Sequence, residues 1–297
     1  MCGFDSRSVG VVAAPSDVNP DAFEDGSEPV VTFVPVEGTD LYVEVRGAGT
    51  PVILIGAADE DTEFYRGIAD RLASDCEVVT YDRRGTGRSG SRGWPAGSAR
   101  HADDAAALIE VLGLDDVTVL GASAGGLVAL ALGLRHPDLV RTVLCFEPGL
   151  FHATKEGEAL RLHAEAAVEE HLDANPGDWS GAVDALGQAA VSSLSDMSSL
   201  FTPPVGQEWF ARRADTNAEA LIRGDLLLTR ETFDLDAVSD CPADLRFAYG
   251  TASLPVFRGI ATHLAACRAD LPDALEGMGH SVFYHPDPTA NYIRSWL

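Results

Sequence analysis

A serine hydroxyl attacks a carbonyl only where the backbone presents it to a substrate and a nearby base takes its proton. Ser123 has the first of these conditions written into its neighbours. It is the middle residue of Gly121-Ala122-Ser123-Ala124-Gly125, directly after the apolar, β-branched run Val117-Thr118-Val119-Leu120 and before the Ala- and Leu-rich stretch to Leu134. The run reads as a buried strand and the stretch as a packed helix. A strand that becomes a helix within five residues turns sharply, and glycines before and after the turn let the two backbones approach. Gly-x-Ser-x-Gly in that setting is a nucleophile elbow. The turn places Ala124 at a helix N-terminus, where its free N–H and the helix dipole favour a developing oxyanion. The competing reading is a Gly- and Ala-rich tight turn carrying a solvated serine.

The second condition is a base, and the base needs a group to orient it. Eight histidines are present, and His280 is the one in a glycine-flanked loop, Gly277-Met278-Gly279-His280, after the last expected strand. His285, beside Pro286, reads as a solvated residue at a helix lead-in. His101, His136, His152, His163, His171 and His263 read as surface or insertion residues away from strand ends.

The elements that must position these groups follow from hydrophobic patterning. Residues 1 to about 29 are rich in Pro, Gly, Ser and acidic residues and read as a loose leader. Val30 to Val36 and Leu41 to Arg46 form an expected hairpin. Strands are expected at Pro51 to Ile55, Glu77 to Tyr81, Val117 to Leu120, Arg141 to Glu147, Leu245 to Tyr249 and near Ala274 to Glu276. Helical segments lie between them, around Phe64 to Ala73, His101 to Leu112, Phe257 to Ala266 and Ala290 to Trp296. That alternation implies right-handed crossovers and a mostly parallel α/β sheet. From about Pro148 to Ser239 the alternation stops. The helical runs Ala159 to Leu172 and Ala182 to Leu194, with Trp179, Phe201, Trp209 and Phe210, read as a helical cap. The expected organisation is therefore a core of residues 30–147 and 240–297 and a cap of residues 148–239.

Composition narrows the function. A chain of 297 residues with 46% hydrophobic content fits one large α/β domain with an insertion. Its net charge of −25 repels phosphate backbones and anionic membranes, so nucleic-acid and membrane partners are disfavoured and a neutral small molecule is favoured. Lys155 is the single lysine among 21 basic residues, a bias that fits a GC-rich genome or a salt-adapted proteome. The five cysteines, Cys2, Cys76, Cys145, Cys241 and Cys267, form no C-x-x-C, so neither a disulfide framework nor a zinc site is indicated and a reducing cytoplasm is expected. No stretch reads as a signal peptide or membrane span. Homo-oligomerisation is left open.

With these features together, the chain resembles the α/β-hydrolase superfamily over about residues 30 to 297. Four motifs in order carry the resemblance: the strand PVILI with its Gly-Ala loop, the strand-end Asp82-Arg83-Arg84-Gly85-Thr86-Gly87-Arg88-Ser89, the elbow, and the His280 loop. It implies a triad in the order serine, acid, histidine, with His280 as the base. The usual acid position, after LRFAY, falls near Ser253, and no Asp or Glu appears between Gly250 and Asp270. Some relatives, among them certain haloalkane dehalogenases and the zearalenone-type lactonases, carry the acid at the end of the preceding strand. Here that residue is Glu147. The resemblance thus implies Ser123, Glu147 and His280 as the triad. It implies the amides of Ala124 and Ala58, with Ala57 the near alternative, as the oxyanion hole. The acidic run Asp59-Glu60-Asp61 is expected to point outward to water. No metal or organic cofactor is required.

The implied reaction is hydrolysis of an ester or lactone of a moderately hydrophobic compound. The layout lends weight to a polyketide-type macrolactone such as zearalenone. Dehalogenation and epoxide hydrolysis are disfavoured, since those branches use an aspartate where Ser123 stands. A carbon–carbon bond hydrolase, a cofactor-free haloperoxidase-like esterase and a non-catalytic binding protein of the same fold remain as alternatives.

Overall fold

The computed structural model describes residues 28–192 and 215–297. The expected leader falls almost wholly outside the described residues, as do Cys2, Phe201, Trp209 and Phe210. Eight strands form one sheet: β1 (Val30–Val36), β2 (Thr39–Arg46), β3 (Thr50–Ile55), β4 (Cys76–Tyr81), β5 (Val117–Ala122), β6 (Val140–Phe146), β7 (Asp244–Gly250) and β8 (Asp273–Leu275). Their spatial order is β1-β2-β4-β3-β5-β6-β7-β8. The β1–β2 and β2–β4 pairs are antiparallel, and every other pair is parallel. The fold is the mostly parallel, helix-flanked α/β sheet that the strand and helix alternation implies.

The period of two along each strand sorts the core into two layers. Ile53, Val119, Val143 and Cys145 pack on one face with α2 (Ser98–Leu112), α3 (Ala124–Arg135) and α7 (Pro255–Cys267). Val52, Leu54, Leu120, Leu144 and Phe146 pack on the other with α1 (Thr62–Leu72) and α8 (Pro286–Arg294). Because β3 to β8 run parallel, their carboxyl ends open onto one edge, where ligand sites of such sheets form. The segment between β6 and β7 contributes α4 (Lys155–Ala174), α5 (Trp179–Ser192) and α6 (Leu235–Asp240). A π-helical turn, Leu221–Asp225, lies between two short α-helical turns, Ala218–Ala220 and Leu226–Leu228. Among the described residues no helix is long and apolar enough to cross a membrane.

The strand-end motif after β4 is a clasp. Asp82 is fully buried and accepts from the amides of Thr62 (2.9 Å) and Arg88 (2.8 Å). Arg84, 2% exposed, makes a two-pronged pair with Asp104 of α2, Nε to Oδ2 at 2.8 Å and Nη2 to Oδ1 at 2.6 Å. It also donates to the carbonyls of Arg92 and Glu37. The motif ties β4 to α1, α2 and the β1–β2 turn, and its Arg83 pairs with Asp225 of the π-helical turn.

Candidate active site

Ser123 sits between the last residue of β5 and the first of α3, with φ 53° and ψ −120°. That conformation costs a non-glycine residue on the order of 1–3 kcal/mol and persists only where the surroundings fix it. Here the Ser123 amide donates to the Phe146 carbonyl (3.0 Å), and its carbonyl accepts from Gly126 (3.0 Å) and Gly149 (3.1 Å). The flanking glycines are required sterically. A Cβ on Gly121 would lie 2.3 Å from the Gly125 carbonyl oxygen, and one on Gly125 would lie 2.2 Å from that of Ile55. The second contact seats the start of α3 against the loop after β3. Ala124 is the first residue of α3, so its amide has no carbonyl one turn back to bond.

Glu147 follows β6 and also adopts a positive φ, 44°. Its amide donates to Ala248 of β7 at 2.8 Å, and its carboxylate is fully buried. Oε1 accepts from the Gly250 amide at 2.8 Å, and Oε2 accepts from the Ser253 hydroxyl at 2.7 Å. His280 Nδ1 lies 2.6 Å from the same Oε2. Phe257 stacks on the imidazole, ring centroids 4.2 Å apart, and fixes its plane. The structure thus brings Glu147 and His280 together on the edge that carries Ser123. Ser253, near which the resemblance places the usual acid, donates its hydroxyl to the Glu147 carboxylate. Sequence reasoning noted Ser253 only as a missing acid. Its partner is 106 residues away, and nothing local signals the pairing.

Two other histidines differ from expectation. His285 is partly buried, and its Nε2 accepts from the Gly279 amide at 3.1 Å, bracing the His280 loop. His101 is only 3% exposed; burial first, then Arg83 and Arg84, push its pKa well down, so it is a neutral core residue.

The acidic run after β3 turns inward, contrary to the expected outward orientation. Asp61 is buried as the N-cap of α1, accepting from Glu63 N at 3.1 Å. Glu60 accepts from the Ala57 amide (3.0 Å) and from the Tyr65 hydroxyl. The physical reason is local demand: a helix N-terminus and loop amides need acceptors, and Arg83 and Arg88 supply positive charge nearby. The Ala58 amide, expected to face an oxyanion, donates instead to Asp225 Oδ2 at 2.6 Å. Asp225 Oδ1 in turn accepts from Arg83 Nη2 at 2.5 Å. Asp225 is the site-edge residue that sequence reasoning missed; it lies 167 positions from Ala58 in a helical stretch with no motif.

Burial, then the carboxyls of Glu60 and Asp225, push the Asp59 carboxyl from an ordinary 3.8 up to about 8. Asp59 therefore holds its proton more tightly in the folded chain than in the unfolded one. Between those two values, folding stability falls as pH rises on this residue's account. Asp59→Asn is expected to gain stability relative to the parent chain between pH 5 and pH 8, about the limits of that window. Urea unfolding at both pH values reads the gap, and a gap that does not change with pH rejects the buried-carboxyl account.

Comparison with known proteins fits this architecture. The chain matches the alpha/beta hydrolase fold family over residues 50–213, more than half its length, and belongs to that family. It is 36% identical over 104 residues to the putative carbamate hydrolase RutD of Azorhizobium caulinodans, covering 35% of this chain and 39% of that one. It is 34% identical over 115 residues to the uncharacterized hydrolase YraK of Bacillus subtilis, covering 38% and 42% respectively. The chain thus spans about two fifths of the length of these curated relatives. Among solved structures, the esterase EaEST from Exiguobacterium antarcticum superposes with a TM-score of 0.73 at 21% identity, covering 89% of this chain and all of that one. Est816, an N-acyl homoserine lactone degrading enzyme, superposes at 0.69 and 21% with the same coverage. At that identity the likeness is one of fold.

Proposed function

We propose that this protein is a serine hydrolase that cleaves a carboxylic ester or lactone of a moderately hydrophobic substrate through an acyl-enzyme on Ser123. The observation that carries the reading is the 2.6 Å contact between His280 Nδ1 and a buried Glu147 carboxylate, on the sheet edge that holds a strained serine at a helix N-terminus. With Nδ1–H donated to Glu147, Nε2 is left as the base. It takes the Ser123 proton as the hydroxyl attacks the carbonyl carbon. The negative charge that develops on the carbonyl oxygen is met by the Ala124 amide and the α3 dipole, and by the Ala58 amide when that is free. Collapse expels the alcohol, which leaves with the proton from His280. Water then enters, loses a proton to His280 and bonds to the acyl carbon; the bond to Ser123 Oγ breaks, the acid is released and the proton returns from His280 to Ser123.

The helices between β6 and β7 act as a cap over this edge in the proposed reading. Phe257 over His280, Phe151 packed on Phe257, and an apolar groove of about 500 Å³ between α4 and α7 support a substrate with an apolar acyl or alcohol part. The groove is lined by Ala159, Leu160, Pro255 and Val256 among others. A lactone is the finer form of the proposal, since the acid sits on the strand end that lactonases of this layout use. Buried free cysteines at 76, 145 and 241 are consistent with a reducing compartment such as the cytoplasm.

A fluorophosphonate probe tests the reading. Covalent labelling of the parent chain and none of Ser123→Ala is the expected outcome, together with turnover on a graded panel of p-nitrophenyl esters and lactones. The partial likeness to a carbamate hydrolase adds p-nitrophenyl carbamates to that panel. A parent chain that stays unlabelled would mark a binding protein of the same fold.

A further inference from the structure

Asp225 occupies a position that a substrate atom needs. One of its carboxylate oxygens takes the Ala58 amide at 2.6 Å, and the other takes Arg83 Nη2 at 2.5 Å. A single carboxylate therefore bridges the amide and the guanidinium, so the two donors are set one carboxylate's width apart. The bridge lies on the loop after β3; where β3 gives way to that loop, Ile55 and Gly56 touch the start of α3 at Gly125. Arg83 is 2% exposed, yet its Nε and Nη1 have no hydrogen-bond partner among the described residues. A guanidinium carries five donors in a planar fork, and buried donors without acceptors are costly, so this fork has unused capacity for oxygen ligands. Asp225 comes from a different part of the chain, the π-helical turn Leu221–Asp225, and π turns cluster at functional sites. Its segment is fastened on both sides of that turn. Asn217 accepts from the Gly87 amide at 3.2 Å and donates to the Asp59 carbonyl at 3.3 Å, and Glu231 accepts from the Ser98 amide at 3.0 Å.

We propose that the Ala58 amide and the Arg83 guanidinium form a carboxylate-binding subsite beside Ser123, that Asp225 fills it at rest as an internal ligand, and that a small monocarboxylate, such as the acid half of a cleaved ester, is its external ligand. The inference rests on the hydrolase reading for its consequence, since the Ala58 amide can meet an oxyanion only after Asp225 lets it go. Charge balance favours exchange over addition. Asp59 and Glu60 also lie within electrostatic reach of the Arg83 guanidinium, so a second anion enters only as Asp225 leaves. In the parent chain the tethered carboxylate has a high effective concentration and keeps free acid out. Removing it leaves a buried guanidinium without its counter-ion, in a space of a carboxylate's size and charge.

The test uses the full chain and sodium acetate, with chloride as the constant-ionic-strength control. Acetate is expected to raise the thermal midpoint of Asp225→Ala and to leave that of the parent chain unchanged. Arg83→Met placed in the Asp225→Ala background is expected to remove the acetate effect. Fluorophosphonate labelling of Ser123 is expected to run about tenfold or more faster in Asp225→Ala than in the parent chain, and to be slowed competitively by acetate in the variant alone. Asp225→Ser serves if the alanine variant does not fold. An Asp225 variant that is insensitive to acetate in both readouts overturns the subsite and leaves Asp225 a structural brace. Absence of labelling in every protein would refute the hydrolase reading instead, and the acetate shift of the midpoint would still decide the subsite.

Discussion

Glu147→Gln is expected to lower kcat by about 10³ to 10⁴-fold with KM little changed, because it reverses the histidine tautomer without touching the substrate. The direction follows from the two ends of the carboxylate. Oε1 is held by the Gly250 amide, a donor that tolerates only an acceptor, so the glutamine oxygen stays there. The amide nitrogen must then take the place of Oε2, 2.6 Å from His280 Nδ1. Two N–H donors cannot face each other at that distance. The imidazole therefore shifts its proton to Nε2, the nitrogen that accepts from Ser123 in the proposed mechanism. It also loses the negative charge that stabilises the imidazolium. The substitution is isosteric and keeps the Gly250 bond, so the unfolding midpoint should hardly move. Ser253→Asp in the Glu147→Gln background adds a discriminating arm. Ser253 Oγ stands 2.7 Å from the same Oε2, so a carboxylate at 253 reaches His280 from the turn after β7 and should recover part of the lost turnover. Near-parent kcat in the single variant would exclude Glu147 as the group that orients His280.

The parts of this molecule that were legible in the sequence are those governed by short-range periodicity. Unbroken apolar runs such as Val52 to Ile55 have to be strands buried on both faces, and all of β5 is buried. The elbow is equally local, since Gly121, Ser123 and Gly125 enforce it within five residues. Boundaries were less legible. Helix α8 opens on Pro286, whose fixed φ suits a first turn, and ends at Arg294, short of Trp296. β2 begins at Thr39 because Gly38, at φ 79°, lets the chain reverse in a shorter turn than expected. The acidic loop was misread because its acceptors answer donors supplied by other elements: loop amides, Tyr65 and Arg83. The link from Ala58 to Asp225 was beyond reach for the same reason. It joins two segments 167 residues apart, and neither carries a pattern that names the other. Sequence periodicity places backbones on an edge; which donor meets which carboxylate there depends on side chains arriving from the whole chain.

Asp104→Ala is expected to destabilise the fold by about 3–5 kcal/mol, the largest effect of any single surface-remote change discussed. Asp104 and Arg84 are each 2% exposed and meet through two parallel hydrogen bonds. Removing the carboxylate leaves a guanidinium that is still charged, still buried and reduced to its bonds with the carbonyls of Arg92 and Glu37. Those carbonyls solvate the ion only in part, and the full desolvation cost of the charge reappears. Urea unfolding should show a lower midpoint with an unchanged slope. The contrast with removing both partners separates this account from simple loss of packing. Arg84→Met combined with Asp104→Leu removes both charges and keeps volume, so it should cost far less than Asp104→Ala alone. If the double replacement were as damaging as the single one, the buried charge would not be the cause. The pair would then matter through the shape of the turn it closes. That turn carries Arg83 to the Ala58 loop, so such a result would move the role of Arg84 from holding the fold to aiming its neighbour at the site.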